Sequence, residues 1–368
     1  MTKKTTKNKE KLVNLSSSSS KKVKIVDIAN QFNLATSTVS RILNGSPENI
    51  KASRETIKMV LDAAMKLGYV THKIPVKYHK GVRSIMVISH YPSEIFYQKI
   101  ISSLERNMRS KGYACYFNYT ESNPIQAEEA IENMRKHLVS GCLIFQNEDE
   151  VFTPKNKSKL EKLNIPCVVI DHHPVPCPSY VSTVELDHEQ AGYDIASHLL
   201  ELGHRRFAFL GVPKSSSCPE RRKGVEKRLE EEGLKLEPEF IVSVDYEPHI
   251  QLSDCFLTWS ANKNKFPTAI IAIHDIMGYA ASNVLENMGL NVPNDVSIAS
   301  FDDRVGMIPW CLDNLKFSLT SIRQPIEAIG KAAGNELIAR INQPMRRPKH
   351  IRLKGELIIR SSTSEPCN

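Results

Sequence analysis

From residue 83 onward the chain alternates short apolar runs with longer amphipathic stretches, and few architectures satisfy that pattern. Residues 84–89, 113–119, 141–145, 166–170, 206–210, 269–273 and 297–301 have the length and composition of strands. Between them, residues 97–111, 125–139, 189–202, 221–232, 275–288 and 325–341 carry helical spacing. Such alternation implies parallel sheets covered by helices on both faces. A stretch this long exceeds one doubly wound sheet, so two α/β lobes with a cleft between them are expected.

The first part of the chain is different in kind. Residues 1–22 are rich in Lys and Thr and include the run Ser16 to Ser20, with too few apolar side chains to order themselves. They form a disordered tail, either a solubilising extension or a basic arm that adds phosphate contacts. Residues 23–70 hold three short helical patterns. Ile25, Ile28, Ala29 and Phe32 lie on one helix face, and Val39, Ile42 and Leu43 mark a second. After a loop at residues 44–47, Ser53 offers an N-cap, and Ile57, Val60, Leu61 and Ala64 repeat the spacing until Gly68. Charge divides at the same place. Residues 1–81 hold 16 bases against 5 acids, whereas the other 287 hold 33 against 36, within a total net charge of +8. A positive unit joined to a nearly neutral body suggests a polyanion-binding module.

Several function classes drop out. No apolar run approaches the roughly 18–20 residues of a membrane span, and the lysine-rich start has no apolar stretch behind it to make a secretory signal. The eight cysteines are scattered with no C-x-x-C pair, which speaks for reduced thiols in a cytoplasmic protein and against a zinc site. Neither a metal nor a cofactor is expected. A Gly-rich phosphate loop, a nucleophile elbow and H-E-x-x-H are all missing, so enzymatic activity is not expected either. His172, His173, His188 and His204 read as surface or capping residues.

Residues 23–44 fit a helix-turn-helix, with Ala29 supplying the small residue where two helices cross. The second helix turns Thr36, Ser37, Thr38, Ser40, Arg41 and Asn44 toward base edges and phosphates, away from its Val39, Ile42 and Leu43 face. This stretch resembles the headpiece of the lac/gal repressor family of bacterial transcription regulators. The match rests on Ile25, Asp27, Ile28 and Ala29, then on TVSRILN at 38–44, and on LGY at 67–69. It continues through ELGHRR at 201–206, PTAIIAIHD at 267–275, VPNDVSIASFDD at 292–303, LTSIRQP at 319–325 and ELIIR at 356–360. Two cap positions depart from the pattern. Lys24 stands where the family has a capping threonine, and Ala35 replaces the serine that opens the second helix, leaving Thr36 or Asn33 to cap it.

The resemblance implies a small all-α helix-turn-helix headpiece followed by a two-lobed α/β periplasmic-binding-protein-like (type I) effector domain over residues 83–366. It implies a repressor with a palindromic double-stranded DNA operator and a small effector, a sugar or sugar derivative, held between the lobes. A homodimer is expected, with a tetramer left open. In the hinge, residues 71–82, Lys73 and Lys77 can meet phosphates, and Tyr78 stands where the family wedges a leucine into the minor groove, with Pro75 confining any hinge helix to its first turn. By motif position the effector contacts are Phe96, Tyr97, Asp171, His274, Asp275, Phe301, Asp302 and Gln324. The family's effector-clamping arginine falls on Pro219, with Arg221 or Arg222 as the substitute, although helical geometry turns either by about 200–300° from that direction. The rival function is a sugar-binding receptor with no DNA role. Deleting residues 1–22, which hold seven lysines, is expected to flatten the salt dependence of DNA binding by nearly one unit per lost phosphate contact without changing the preferred sequence. An unchanged slope would make the tail a solubilising extension only.

Overall fold

The computed structural model describes residues 24–44, 52–66, 83–90, 95–137, 139–145, 151–213, 215–244, 249–262, 265–304 and 318–367. The expectations placed on residues 1–22, on the hinge and on Lys73, Lys77 and Tyr78 lie outside these, as does the side chain of Asn44. The chain separates into two units, residues 1–74 and 75–368.

The first unit contains three helices, α1 (Ile25–Gln31), α2 (Thr36–Asn44) and α3 (Arg54–Lys66). Their shared core is small: Ile28 and Ala29 from α1, Val39, Ile42 and Leu43 from α2, and Val60, Ala63 and Ala64 from α3. Lys24 does precede α1, but Asp27 replaces the missing cap by accepting the Lys24 backbone N–H at 2.7 Å. Asn33, in the left-handed region at φ 52°, turns the chain out of α1, and the Leu34 N–H closes on the Ala29 carbonyl at 3.0 Å. The helix then restarts with the Ala35 carbonyl accepting from Val39 N–H at 3.1 Å. Ala35 therefore occupies the capping position, in place of Thr36 or Asn33.

The second unit is built on two six-stranded sheets. The N-terminal lobe contains β1 (Ser84–Ser89), β2 (Ala114–Tyr119), β3 (Gly141–Phe145), β4 (Cys167–Ile170), β5 (Val181–Leu186) and β11 (His350–Leu353), ordered β11-β5-β4-β3-β1-β2 with every pair parallel. Helices α4 (Ile95–Ser110), α5 (Pro124–Lys136), α6 (Pro154–Leu163) and α11 (Ile326–Asn342) belong to it. Its two apolar clusters separate cleanly by face, since Ile85 and Val87 join α4 and α11 while Met86 and Ile88 join α5. The C-terminal lobe contains β6 (Phe207–Gly211), β7 (Ile241–Ser243), β8 (Ala269–Ala272), β9 (Ser297–Asp302), β10 (Thr320–Arg323) and β12 (Glu356–Ile358), with helices α7 (His188–Glu201), α8 (Ser217–Glu231), α9 (His249–Ser260) and α10 (Asp275–Asn287). Its order is β12-β10-β9-β8-β6-β7, parallel except for the β10–β12 pair. The chain passes between lobes after β5, after β10 and after β11, so the cleft is spanned by three short segments.

Two histidines expected at the surface or as caps are instead interior. His204 is buried, its Nδ1 bonded to Thr268 Oγ1 at 3.0 Å and its Nε2–H donating to the Ser364 carbonyl at 2.9 Å. His188 opens α7 and is buried as well.

Helices α7 and α8 meet backbone to backbone. A Cβ on Gly192 would fall 2.0 Å from the Arg221 carbonyl oxygen, and one on Gly224 would fall 1.9 Å from that of Glu189. Neither overlap can be relieved by a side-chain rotation, because the obstructing atoms are main chain. Gly224→Ala should therefore lower stability by about 1–3 kcal/mol or more and depress the thermal midpoint. A midpoint equal to that of the parent chain would show that the helices are not held this close.

Candidate functional site

Open α/β sheets bind ligands beyond the carboxyl ends of their strands, where loops diverge and backbone groups are free. In the N-terminal lobe the end of β4 leads into Asp171. In the C-terminal lobe the end of β9 is Asp302 itself. Both aspartates adopt left-handed backbone conformations, with φ 72° and 93°. Such conformations are uncommon outside glycine and concentrate at functional sites, where surrounding structure enforces them.

The C-terminal side of the cleft is organised around Asp302, which is 5% exposed. Arg221 donates to Asp302 Oδ1 from Nη2 at 3.0 Å, Gln324 donates to the same oxygen from Nε2 at 2.8 Å, and Arg304 approaches Oδ2 at 3.3 Å. Burial alone would raise the Asp302 carboxyl, but the two guanidiniums and the Gln324 amide outweigh it and hold the group well below the usual carboxylate range. Arg221 is fully engaged in orientation. Its Nη1 donates to the Ile273 carbonyl at 2.5 Å, its Nε donates to His188 Nδ1 at 3.2 Å, and its guanidinium lies 4.5 Å from the centre of the Phe301 ring.

This arrangement revises the position of the arginine. Pro219 is exposed, whereas Arg221 is 3% exposed. The inward face of α8 runs through Ser217, Arg221, Gly224 and Val225, so helical spacing aims residue 221, not 219, at the cleft. Counting five residues back from Gly224 points to Pro219, two positions from the arginine that faces inward.

Asp275 and His274 serve the frame of the site. His274 caps α10, its Nδ1 accepting from the Met277 N–H at 3.1 Å. The Asp275 carboxylate accepts from Ser300 Oγ at 2.5 Å, Ser321 Oγ at 2.7 Å and the Arg304 backbone N–H, tying β9, β10 and the segment after β9 together. Burial raises the Asp275 carboxyl to about 6, with the Asp302 charge adding to the shift.

On the N-terminal side, Tyr97 donates to Asp171 Oδ2 at 3.2 Å, and His172 Nε2 lies 3.5 Å from the same atom. Phe96 is buried in the apolar core beneath Tyr97, its ring 4.9 Å from the Arg304 guanidinium. The lobes also meet where His172 Nδ1 bonds Ser216 Oγ at 3.3 Å and Arg352 donates to Glu220 at 2.8 Å. Of the nine residues expected as effector contacts, Phe301, Asp302 and Gln324 are linked through Arg221 and Asp302 in the C-terminal lobe, His274 and Asp275 brace the helix and strands there, and Phe96, Tyr97 and Asp171 stand together in the N-terminal lobe. His188, His172 and Arg304 join them without having been expected. A sequence signal for His188 existed in its place directly after Asp187, the N-cap at the β5–α7 crossover.

In the helical unit, Thr36, Ser37 and Arg41 are exposed on α2, and Thr38 and Ser40 are half-buried beside the Val39 face. No helix among the described residues is long and apolar enough to cross a membrane, and no cluster of His, Cys, Asp and Glu side chains there could hold a metal ion.

The buried imidazoles make stability depend on pH. Burial lowers His90, His204 and His274 from about 6.5 to about 4. Between those values the unfolded chain takes up protons that the folded chain refuses, so stability falls as pH drops from 6.5 toward 4. Asp275, raised to about 6 by burial, and His173, raised by its bond to Glu185, act in the opposite sense, but His188 and His198, lowered by burial, add to the three rings. The thermal midpoint should rise steadily from pH 4.5 to pH 7. A flat profile over that interval would contradict the burial of these rings.

Comparison with known proteins agrees with this architecture. The periplasmic binding protein-like domain family matches residues 196–363. The HTH-type transcriptional repressor PurR of Haemophilus influenzae (strain PittEE) is 28% identical over 352 residues, spanning 92% of this chain and 98% of the relative. Catabolite control protein A of Priestia megaterium is 28% identical over 347 residues, spanning 93% and 99%. The structure of a transcriptional regulator CelR–cellobiose complex superposes with a TM-score of 0.62 at 24% identity, covering 93% of this chain and all of that one. With the ordered sequence motifs, the helical unit and the paired α/β lobes, the chain is similar along nearly its whole length to PurR and to catabolite control protein A, and it shares its fold with the CelR–cellobiose complex.

Proposed function

We propose that this chain is a transcription regulator of the lac/gal repressor (LacI) family, a cytoplasmic repressor that binds a palindromic operator as a homodimer and is controlled by a carbohydrate held between its lobes. Residues 23–70 would be the DNA-reading headpiece, 71–82 the hinge and 83–366 the effector-binding and dimerisation domain. The observation that carries the DNA-binding part is the two-sided character of α2. Val39, Ile42 and Leu43 are buried against the other two helices, while Thr36, Ser37 and Arg41 are left facing outward. Short hydroxyls and a guanidinium suit base edges and phosphates, and the helix has no other use for them. The relative named as a repressor supports the direction of control, and the cellobiose complex supports a sugar effector.

One headpiece with so small a core covers too little DNA for tight specific binding, which favours two copies on a two-fold site. Strand β2 offers a surface for the second copy. It is an edge strand, its backbone row is open, and Tyr116, Phe117 and Tyr119 are exposed on it at 48%, 37% and 43%.

The experiment is selection of bound fragments from genomic DNA, followed by titration of the selected site at fixed salt. Arg41→Ala should weaken specific binding by about 1–3 kcal/mol while leaving the fold intact by circular dichroism. Asp302→Ala should leave effector-free operator binding in place and abolish the response to effector. Unchanged operator affinity in Arg41→Ala would remove α2 as the recognition helix.

A further inference from the structure

We infer that His188 donates a hydrogen bond to the effector through its Nε2–H, and that the ligand must offer hydroxyl protons to Asp171 and Gln324 in return. The inference rests on the proposed reading of the cleft as the effector site, and it fixes the polarity of three contacts that motif position does not reach. His188 stands at the crossover from β5 into α7, and 1% of it is exposed. Arg221 Nε can only donate, so His188 Nδ1, 3.2 Å away, must present its lone pair. Burial, with the Arg221 charge beside it, drives the imidazole well below its ordinary value and keeps it neutral. A neutral ring with an unprotonated Nδ1 carries its proton on Nε2. That buried Nε2 has no hydrogen-bond partner among the described residues.

Two acceptors share this condition. Asp171 uses Oδ2 for Tyr97, and Oδ1 is buried without a partner among the described residues. Gln324 commits its Nε2 to Asp302, which fixes the amide orientation and leaves Oε1 buried without a partner there. A buried polar atom left unsatisfied destabilises the fold, so each of these atoms favours a partner. All three follow the carboxyl ends of strands, Asp171 after β4, His188 after β5 and Gln324 after β10. One donor and two acceptors call for a ligand that supplies one acceptor and two donors, which hydroxyl groups do. An anionic oxygen has no proton for Gln324 or Asp171 and would face an unpaired carboxylate oxygen at Asp171. The geometry thus calls for hydroxyl groups, and not an anionic group, at these three atoms.

The test is thermal denaturation of the full chain with D-ribose, D-glucose, D-fructose, cellobiose and glucose 6-phosphate. At least one neutral sugar should raise the midpoint of the parent chain. His188→Phe should need at least tenfold more of that sugar for the same shift. His188→Asn, which keeps an acceptor for Arg221 and an N–H donor, should fall between the two. No shift with any neutral sugar, a shift with the phosphate ester alone, or a His188→Phe response at parental concentrations would each overturn the proposal. A measurement on the unmutated chain guards against a misfolded variant. In a ¹⁵N-histidine spectrum, the signal missing from His188→Asn should report a proton on Nε2 and move on sugar binding. A proton on Nδ1, or on both nitrogens, at pH 7 would overturn the assignment. Operator binding is titrated separately, so loss of DNA binding with the sugar response intact would refute the regulator reading and support this one.

Discussion

A charge buried where the two lobes face each other governs this molecule. Asp302 remains ionised at 5% exposure because Arg221, Arg304 and Gln324 surround it. Each of those partners is delivered by a different part of the fold. Arg221 comes from α8, Gln324 from the segment after β10, and Arg304 from the segment after β9. The close approach of α8 to α7, permitted by Gly192 and Gly224, sets where Arg221 points. An isolated buried carboxylate would protonate or draw in water. The pairings around Asp302 let a charge persist in the interior.

The same wall shows how structural and recognition duties divide among neighbouring polar residues. Asp275 and His274 brace strands and a helix end, and their hydrogen-bonding capacity is turned inward. Asp171, Gln324 and His188 each keep one buried polar atom without a partner among the described residues. Residues adjacent in sequence or in space thus differ in what they can offer a ligand. Only the hydrogen-bond inventory tells them apart.

The strand–helix alternation was legible because the interior strands β3, β4, β6 and β8 are apolar throughout, as parallel strands covered on both faces tend to be. The seven expected strands all exist, with ends moved by a residue or so. Strand β5 escaped because Ser182, Thr183 and Glu185 break its apolar pattern. Its polar side chains are nonetheless interior, with Ser182 bonded to Glu336 and Glu185 to His173. β11 and β12 escaped because they are short pieces of edge strand contributed by the end of the chain. Asp302 and Asp171 could be found as residues following a strand, but the arginine could not be placed by counting. Its direction depends on which face of α8 meets α7, and that is decided by packing across two helices. The donor role of His188 was invisible for a related reason, since its tautomer is set by a guanidinium 33 positions away.

The central claim is that Arg221 and Asp302 form one interacting unit on which the cleft wall depends. A double-mutant cycle measures this directly, with Arg221→Met, Asp302→Asn and both together compared by urea unfolding. Breaking a buried pair from one side strands the other charge and costs about 3–5 kcal/mol, whereas removing both relieves it. The double variant should therefore be more stable than the summed single losses imply, by about 2 kcal/mol or more. Additivity to within about 0.5 kcal/mol would mean that the two residues do not depend on each other, and the account of the cleft built on them would fail.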